Sequence, residues 1–467
     1  MTKFWQLVLI IIIVLTAYSN IFDNQLIIDD QYFIQEWPLT RSWSNVGQLL
    51  AGANPESQPG VYRPIRSLLY LIYYQLWGAN PTGYHLHSLL VHLASTMLVY
   101  GVIREIRVIG EKRKKIAFVA ALLFGLHPIH TESITYIAAS MEMTGVVFFL
   151  AAFYTYLKNK RVWTVFFALL AFFTYEMTLT LSLLLGLYEL TLGKKDWKRI
   201  WPVAVAAVSY LLVRIGILGI SPARGDYLAY SFYHTQLTMT KMWIKYLWLL
   251  IWPVNLSHNQ TIVPGFEAFM TPYSDQAAIL RQSILDPEIL LSITIIIIII
   301  FIIFIARKNH PLVSFCIGWF FISLLPVMEL VPQGSMMNER SLYIASFGWV
   351  LVLAWVFYKI YNNYNHYKYY IALVILTVAF LYGLRTFTRN RDWRNDVTLW
   401  QADVRLSPDQ NAYARFALGN AYNDRKDYQK AIDQYAKSVE INPGFAVGWA
   451  SLGRTYADMG KVTEAIS

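Results

Sequence analysis

The chain is 467 residues long, 56% hydrophobic and 16% aromatic, with a formal net charge of +10 and a mean hydropathy of +0.39. Apolarity at this level excludes an ordinary soluble enzyme and points to a multispanning membrane protein. The positive charge, which in a soluble chain suggests nucleic acid, is here explained by basic loops that stay cytoplasmic because they resist translocation. A single cysteine, Cys316, excludes an intramolecular disulfide and a multi-cysteine metal site.

In chain order, apolar runs of spanning or near-spanning length fall at about 4–20, 84–104, 116–126, 134–157, 162–174, 176–191, 200–220, 289–306, 311–328, 341–358 and 369–384. No small-x-small cleavage site follows Tyr18, so the first run is an uncleaved span. Runs shorter than about 20 residues must extend into their flanks to cross the hydrocarbon. Two amphipathic stretches, 64–77 and 237–252, suit the interface. With Lys3 inside, the connections Arg104 to Lys115 (with Lys112-Arg113-Lys114-Lys115), Lys158 to Arg161, Lys194 to Arg199, Arg307-Lys308 and Lys359 to Lys368 are all cytoplasmic, giving eleven crossings. The outer connections are then 21–83, 127–133, the turn at Tyr175-Glu176, 221–288, 329–340 and everything after Arg385.

That topology, built from basic loops alone, gathers the conspicuous polar residues on one side. Asp29-Asp30 follows the first span, and adjacent carboxylates emerging from a bilayer are costly to place. One is expected to serve as general base toward an acceptor hydroxyl while the other orients the acceptor or raises its neighbour's pKa; a loop pair or helix start is the plain alternative. Arg63 in Tyr-Arg-Pro, just before an amphipathic helix, is either a snorkelling anchor or a phosphate cation. His127-Pro128-Ile129-His130-Thr131-Glu132 lacks the H-E-x-x-H geometry and a third ligand, so it suits donor phosphate or sugar hydroxyls, or a fixed turn, better than zinc. Glu142 inside a span and Glu176 at a turn need a partner or a water-filled cavity. Glu339 and Arg340 open a late span, Arg340 as a second candidate phosphate cation or as half of a local ion pair. No residue set assigns a metal, although a divalent ion is left open as a cofactor. Asn255-Leu-Ser257 and Asn259-Gln-Thr261 match the glycosylation sequon.

After a basic connector, 385–394, the chain turns polar and helical. Leu418-Gly419, Tyr422, Ala431, Tyr435 and Pro443 match the 34-residue tetratricopeptide pattern, and Leu452-Gly453, Tyr456 and Ala465 repeat it one period later. The domains are therefore 1–384 membrane-embedded, 385–394 connector and 395–467 repeats, the last stopping at Ser467 inside its second helix; the array is expected to be truncated or to lean on the membrane domain.

The ordered set of Asp-Asp after span one, Tyr-Arg-Pro, YHLHSLLVH (84–92), LFGLHPIHTESI (123–134), a glutamate-bearing turn, NERSLYIASFGW (338–349) and repeats resembles the transmembrane and tetratricopeptide repeat O-mannosyltransferases and their prokaryotic relatives. The resemblance implies an all-α, GT-C-like membrane bundle followed by an α-solenoid. It implies inverting transfer of one sugar, mannose, from a polyprenyl-phosphate donor, with Asp29 or Asp30 as base. Arg63, His127, His130, Glu132, Glu142, Glu176, Glu339 and Arg340 would line the donor and acceptor site. The turn glutamate after Tyr175 departs from the lysine expected there. The implied partners are the bilayer, the lipid-linked donor and, through the repeats, a protein acceptor or envelope partner, with no nucleic acid. The implied location is a bacterial or archaeal cytoplasmic membrane (the ER in a eukaryote), with the repeats extracytoplasmic. Two alternatives stand beside it. A polyprenyl-diphosphate oligosaccharide ligase or polymerase would want a late outer loop rich in Arg and His, whereas 221–288 offers only Arg224, Arg281, His234 and His258. A non-enzymatic scaffold recruiting an envelope partner would leave Asp29, Asp30 and Arg63 dispensable.

Overall fold

The computed structural model describes residues 3–54, 60–110, 113–263, 266–267 and 279–466. Lys112 of the basic run, residues 264–265 and 268–278 of the outer stretch 221–288, and Ser467 lie outside the described residues. Within them the protein is helical apart from a two-stranded antiparallel ribbon, Thr261–Val263 with Phe266–Glu267.

The elements used below are α1 (Lys3–Ala17), α2 (Pro64–Trp77), α3 (Pro81–Glu105), α4 (Arg113–Leu126), α5 (Ile137–Leu157), α6 (Arg161–Phe172), α7 (Leu181–Thr191), α8 (Trp201–Leu211), α9 (Phe232–Ile251), α10 (Pro287–Asn309), α11 (Pro311–Leu324), α12 (Leu342–Asn363), α13 (Lys368–Asp392), α14 (Asp396–Leu406), α15 (Ala412–Asp424), α16 (Tyr428–Ile441) and α17 (Ala446–Asp458). Every apolar run read from the sequence is helical. Among the described residues, seven helices are long and apolar enough to cross a membrane. There is an eighth if Arg113–Leu126 and Pro128–Thr135, bent by 49°, form one broken span. Arg161–Phe172 and Pro311–Val327 are apolar but shorter, and α7 has 11 residues, so these three account for the rest of the eleven sequence-level crossings. The chain is a multi-pass membrane protein.

Two compact units form: Met1–Arg224 with Thr294–Pro326 and Arg340–Asn390, and Gly225–Ile293 with Val327–Glu339 and Arg391–Ser467. In the first, α5 is the central helix. Buried residues make up 83% of its apolar stretch, against 11% for α13, which faces outward. The bundle has two distinct ends. At one, Tyr100 donates to Gln6 at 3.1 Å and Lys158 pairs with Glu105 at 2.8 Å. At the other, His85 Nε2 lies 3.2 Å from the Asn24 carbonyl, and the Asn390 amide donates to the Ala17 carbonyl at 3.1 Å. The candidate polar residues of this unit lie at the second end, and the basic loops at the first.

In the second unit, α14 to α17 are the repeat helices. Ala431, Ile432, Tyr435, Val439 and Leu452 form a core against which Phe416, Tyr422 and Tyr456 pack. The segment 257–261 is fastened to them. Asp403 accepts from the backbone amides of His258 at 3.1 Å and Asn259 at 2.9 Å, and Asn411 donates to the Asn259 carbonyl at 2.9 Å. His258 packs edge-on against Trp393 and Trp400. Asn259 is fully buried, which removes the second sequon as a modification site in the folded chain.

In the first unit, α11 and α12 approach so closely that a Cβ on Gly348 would lie 2.5 Å from the Cys316 carbonyl oxygen. Gly348→Ala is therefore expected to destabilise the bundle by about 1–3 kcal/mol, the usual range for overpacking. Thermal unfolding in detergent micelles reads this as a lowered Tm.

Candidate active site

The site begins at the turn after α1. Ile28 has φ of +49°, an uncommon and costly conformation for a β-branched residue. The turn is closed by the Asp30 amide donating to the Ile27 carbonyl at 2.9 Å. The two aspartates that follow have different fates. Asp30 is fully buried, and its Oδ1 accepts from the Ala138 amide at 2.7 Å, capping the N-terminus of α5. Burial pushes its pKa well above the usual carboxylate range and outweighs the backbone hydrogen bonds that oppose the shift. Asp29 is only half-buried. Its side chain is hydrogen-bonded to Tyr136, the residue immediately before α5. Two consecutive aspartates thus grip Tyr136 and Ala138 at the start of the central helix.

Beside this pair lies a connected network of four arginines and three glutamates. Glu142, one and a half turns into α5, is its hub. It pairs with Arg63 through a short contact, with Arg66 at 3.4 Å and with Arg340 at 3.9 Å. Arg63 also forks onto Glu176, its Nε at 2.6 Å and its Nη2 at 2.8 Å, and lies over the Tyr175 ring. Arg224 reaches Glu176 from another direction through a short contact. Arg340 donates to Glu132 at 2.7 Å. Pro64 at the first position of α2 sets Arg63 at the helix entry, and Arg66 one turn on shares that face. Arg66 is wholly buried, stacked over Phe33 and close enough to Asp29 to feel its charge. Burial and the neighbouring Arg63 lower the pKa of Arg66 to about 10 and of Arg224 to about 9, so both stay cationic at neutral pH. The more exposed members are Arg340 at 23%, Arg224 at 19% and Glu176 at 13%, which gives the network an open edge.

The sequence candidates therefore divide. Asp29, Asp30, Arg63, Glu132, Glu142, Glu176 and Arg340 come together. His127 and His130 are fully buried in packing roles. The His127 Nδ1 accepts from the Ile129 amide at 3.2 Å, and its ring packs 4.6 Å from Tyr382. His130 Nδ1 donates to the Phe124 carbonyl, its Nε2 is 2.9 Å from Ser346 Oγ, and its ring lies 4.5 Å from Tyr343. Glu339 belongs to the second unit, where it accepts from the Ser257 amide at 2.6 Å and the Gln260 amide at 2.8 Å. Arg66, Tyr136 and Arg224 were not singled out from the sequence. For Arg66 a signal existed, the Arg-Pro-x-Arg spacing that puts both guanidiniums on one helix face. Among the described residues, no three His, Cys, Asp or Glu side chains are grouped to hold a metal ion.

A half-buried carboxylate thus stands beside a buried network of arginines and glutamates, at one end of the helix bundle of a polytopic membrane protein. A tetratricopeptide repeat model matches residues 412–445. The chain is 24% identical to mouse protein O-mannosyl-transferase TMTC3, over 99% of this chain and 54% of that protein. It is 23% identical to Drosophila melanogaster protein O-mannosyl-transferase Tmtc3, over 86% of this chain and 51% of that protein. It is also 23% identical to human protein O-mannosyl-transferase TMTC4, over 92% of this chain and 66% of that protein. The chain is a relative of these transmembrane and tetratricopeptide repeat proteins, and it spans about half the length of the first two.

Removing the hub is expected to cost more than removing an edge. Glu142→Gln leaves buried guanidiniums facing one another and should destabilise the fold by about 3–5 kcal/mol. Glu176→Gln, closer to solvent, should cost less; unfolding midpoints of the two purified variants compare them. For Asp30, a raised folded-state pKa means stability that is present at low pH and lost as pH rises through the folded value. Asp30→Asn keeps the capping oxygen and removes this dependence, so its Tm relative to wild type should climb from about pH 4 to about pH 7.

Proposed function

We propose that this chain is an inverting glycosyltransferase that moves one mannose from a polyprenyl-phosphate carrier to a hydroxyl on a protein acceptor at the extracytoplasmic face. The observation that carries the proposal is the partly accessible carboxylate of Asp29, held beside a cluster with four guanidiniums to three carboxylates. Mannose and a protein acceptor are what the relatives' names specify for those relatives.

In this mechanism Asp29 takes the proton of the acceptor hydroxyl as its oxygen attacks the anomeric carbon. The new C–O bond forms on the face opposite the departing phosphate, whose C–O bond breaks, inverting the centre. No enzyme nucleophile is needed. A phosphodiester donor with one negative charge becomes a monoester with two, while Asp29 becomes neutral. The negative charge therefore passes from the base to the leaving group. Arg340 and Arg224, at the open edge of the network, are suited to receive it by charge-assisted hydrogen bonds. Asp30 and Tyr136 hold the base in place. The repeats, proposed to lie on the same side, recruit the acceptor.

The test is transfer of labelled mannose from polyprenyl-phosphate mannose in membranes carrying each variant. Asp29→Asn is expected to lower kcat by at least about a hundredfold, the scale of a lost general base. Asp30→Asn, which keeps its cap, should stay within about tenfold of wild type. Full activity in Asp29→Asn would refute the assignment.

A further inference from the structure

Arg214 is buried near the end of the spanning helix Trp197–Ile217, on the side that leads to Arg224. A buried cation in such a helix is costly and marks a requirement. Among the described residues it pairs with no carboxylate. One nitrogen, Nη2, donates instead to the Gly60 carbonyl at 2.9 Å and to the Ser221 carbonyl at 3.1 Å. The side chain is also hydrogen-bonded to the Tyr210 hydroxyl, which donates to the Tyr62 carbonyl at 3.0 Å. The helix is adapted to this reach. α8 gives way to a π-helical turn over Leu212–Ile217, where the Leu218 amide donates to the Val213 carbonyl at 3.0 Å. Such turns are rare, and single ones recur at functional sites.

The three carbonyls lie just ahead of two cations of the network. Tyr62 immediately precedes Arg63, Gly60 lies three residues before Arg63, and Ser221 lies three before Arg224. The two segments run against each other: a Cβ on Gly60 would lie 3.7 Å from the Ser221 carbonyl oxygen and 3.8 Å from Arg224 Cγ. Both cations then converge on Glu176, Arg63 through its fork at 2.6 and 2.8 Å and Arg224 through a short contact. Arg214 thus ties together the backbones that carry two mutually repelling guanidiniums. A charged donor makes stronger hydrogen bonds than a neutral one, which suits a tie that works against repulsion. We propose that Arg214 is a positioning residue. It sets Arg224 against Arg63 so that the charge gathering on the departing phosphate meets a preformed pair, an inference that rests on the glycosyltransferase reading.

In the mannose-transfer assay, Arg214→Gln is expected to lower kcat about tenfold and to leave the donor KM within about twofold, because the second phosphate charge appears only as the bond breaks. Since one nitrogen makes both carbonyl contacts, an ammonium can stand in for it. Arg214→Lys should therefore keep kcat within about threefold of wild type. If Arg214 acts through Arg224, its effect disappears once Arg224 is gone. Arg214→Gln should then change kcat by less than about twofold in an Arg224→Met background. The same loss in both backgrounds, or no loss in either, would overturn the proposal.

A second measurement needs no turnover. Hydrogen exchange read by mass spectrometry on the full chain in detergent should show faster uptake in Arg214→Gln over 60–66 and 218–224, with α3 and α5 unchanged. Arg214→Lys should show the wild-type pattern. Faster uptake throughout α3 and α5 would make Arg214 a general support of the fold and overturn the assignment. Should wild type transfer no sugar, the glycosyltransferase reading fails on its own. Faster uptake confined to those two segments would still support Arg214 as the residue that sets the cation pair.

Discussion

The first unit is organised around one carboxylate near the start of its most buried helix, α5. Glu142 cannot be charged inside a membrane bundle without cations, and Arg63, Arg66 and Arg340 cannot be packed around it without a shared anion. Each requirement satisfies the other, and the arginines come from the entry of α2, its first turn and the residues just before α12. Folding the network therefore draws the entry of α2, the start of α12 and the second turn of α5 to one point. Glu132 and Glu176 extend the same constraint to the break after α4 and to the turn between α6 and α7.

Against that fixed background the aspartate pair is asymmetric. Two chemically identical side chains, adjacent in sequence, face a helix N-terminus on one side and partly accessible space on the other. The first place suits a capping oxygen and the second a proton acceptor. The positive φ at Ile28 belongs to this division, because the tight turn at 27–30 is where the two carboxylates diverge. Strain at such a position is a cost that the surrounding packing must over-determine.

Much of this was legible in the sequence because membranes amplify physical signals. Apolar runs marked the helices, basic loops sorted their ends, and charged residues within or beside spans stood out as needing partners. That is why Arg63, Glu132, Glu142, Glu176 and Arg340 are legible as a group in the sequence. For the histidines the sequence left two readings open, a ligand-binding pair or a fixed turn between two spans, and the observed contacts are those of a fixed turn. A buried imidazole with both nitrogens engaged, as in His130, has the same letter code as a ligand-binding one, and only its partners, Phe124 and Ser346, tell them apart. Glu339 and Arg340, adjacent in the chain, turn to different neighbours, which spacing does not encode. Arg66 is harder to read, because an arginine on an amphipathic helix usually faces water, whereas here it lies over Phe33 with no exposure. Which aspartate caps and which stays accessible depends on the tertiary approach of α5, and no local pattern specifies that.

The clasp of Asp403 and Asn411 on the 257–261 segment bears on how a protein of this kind can change over generations. Solenoids commonly gain and lose units at either end, since each unit touches only its neighbours. Here the first repeat helices are committed to a partner outside the array, so insertion or deletion at that end would strip a buried loop of its hydrogen bonds. Length variation is thereby channelled to the far end of the array. A ruler fixed at its zero mark can be extended without disturbing what it is fastened to.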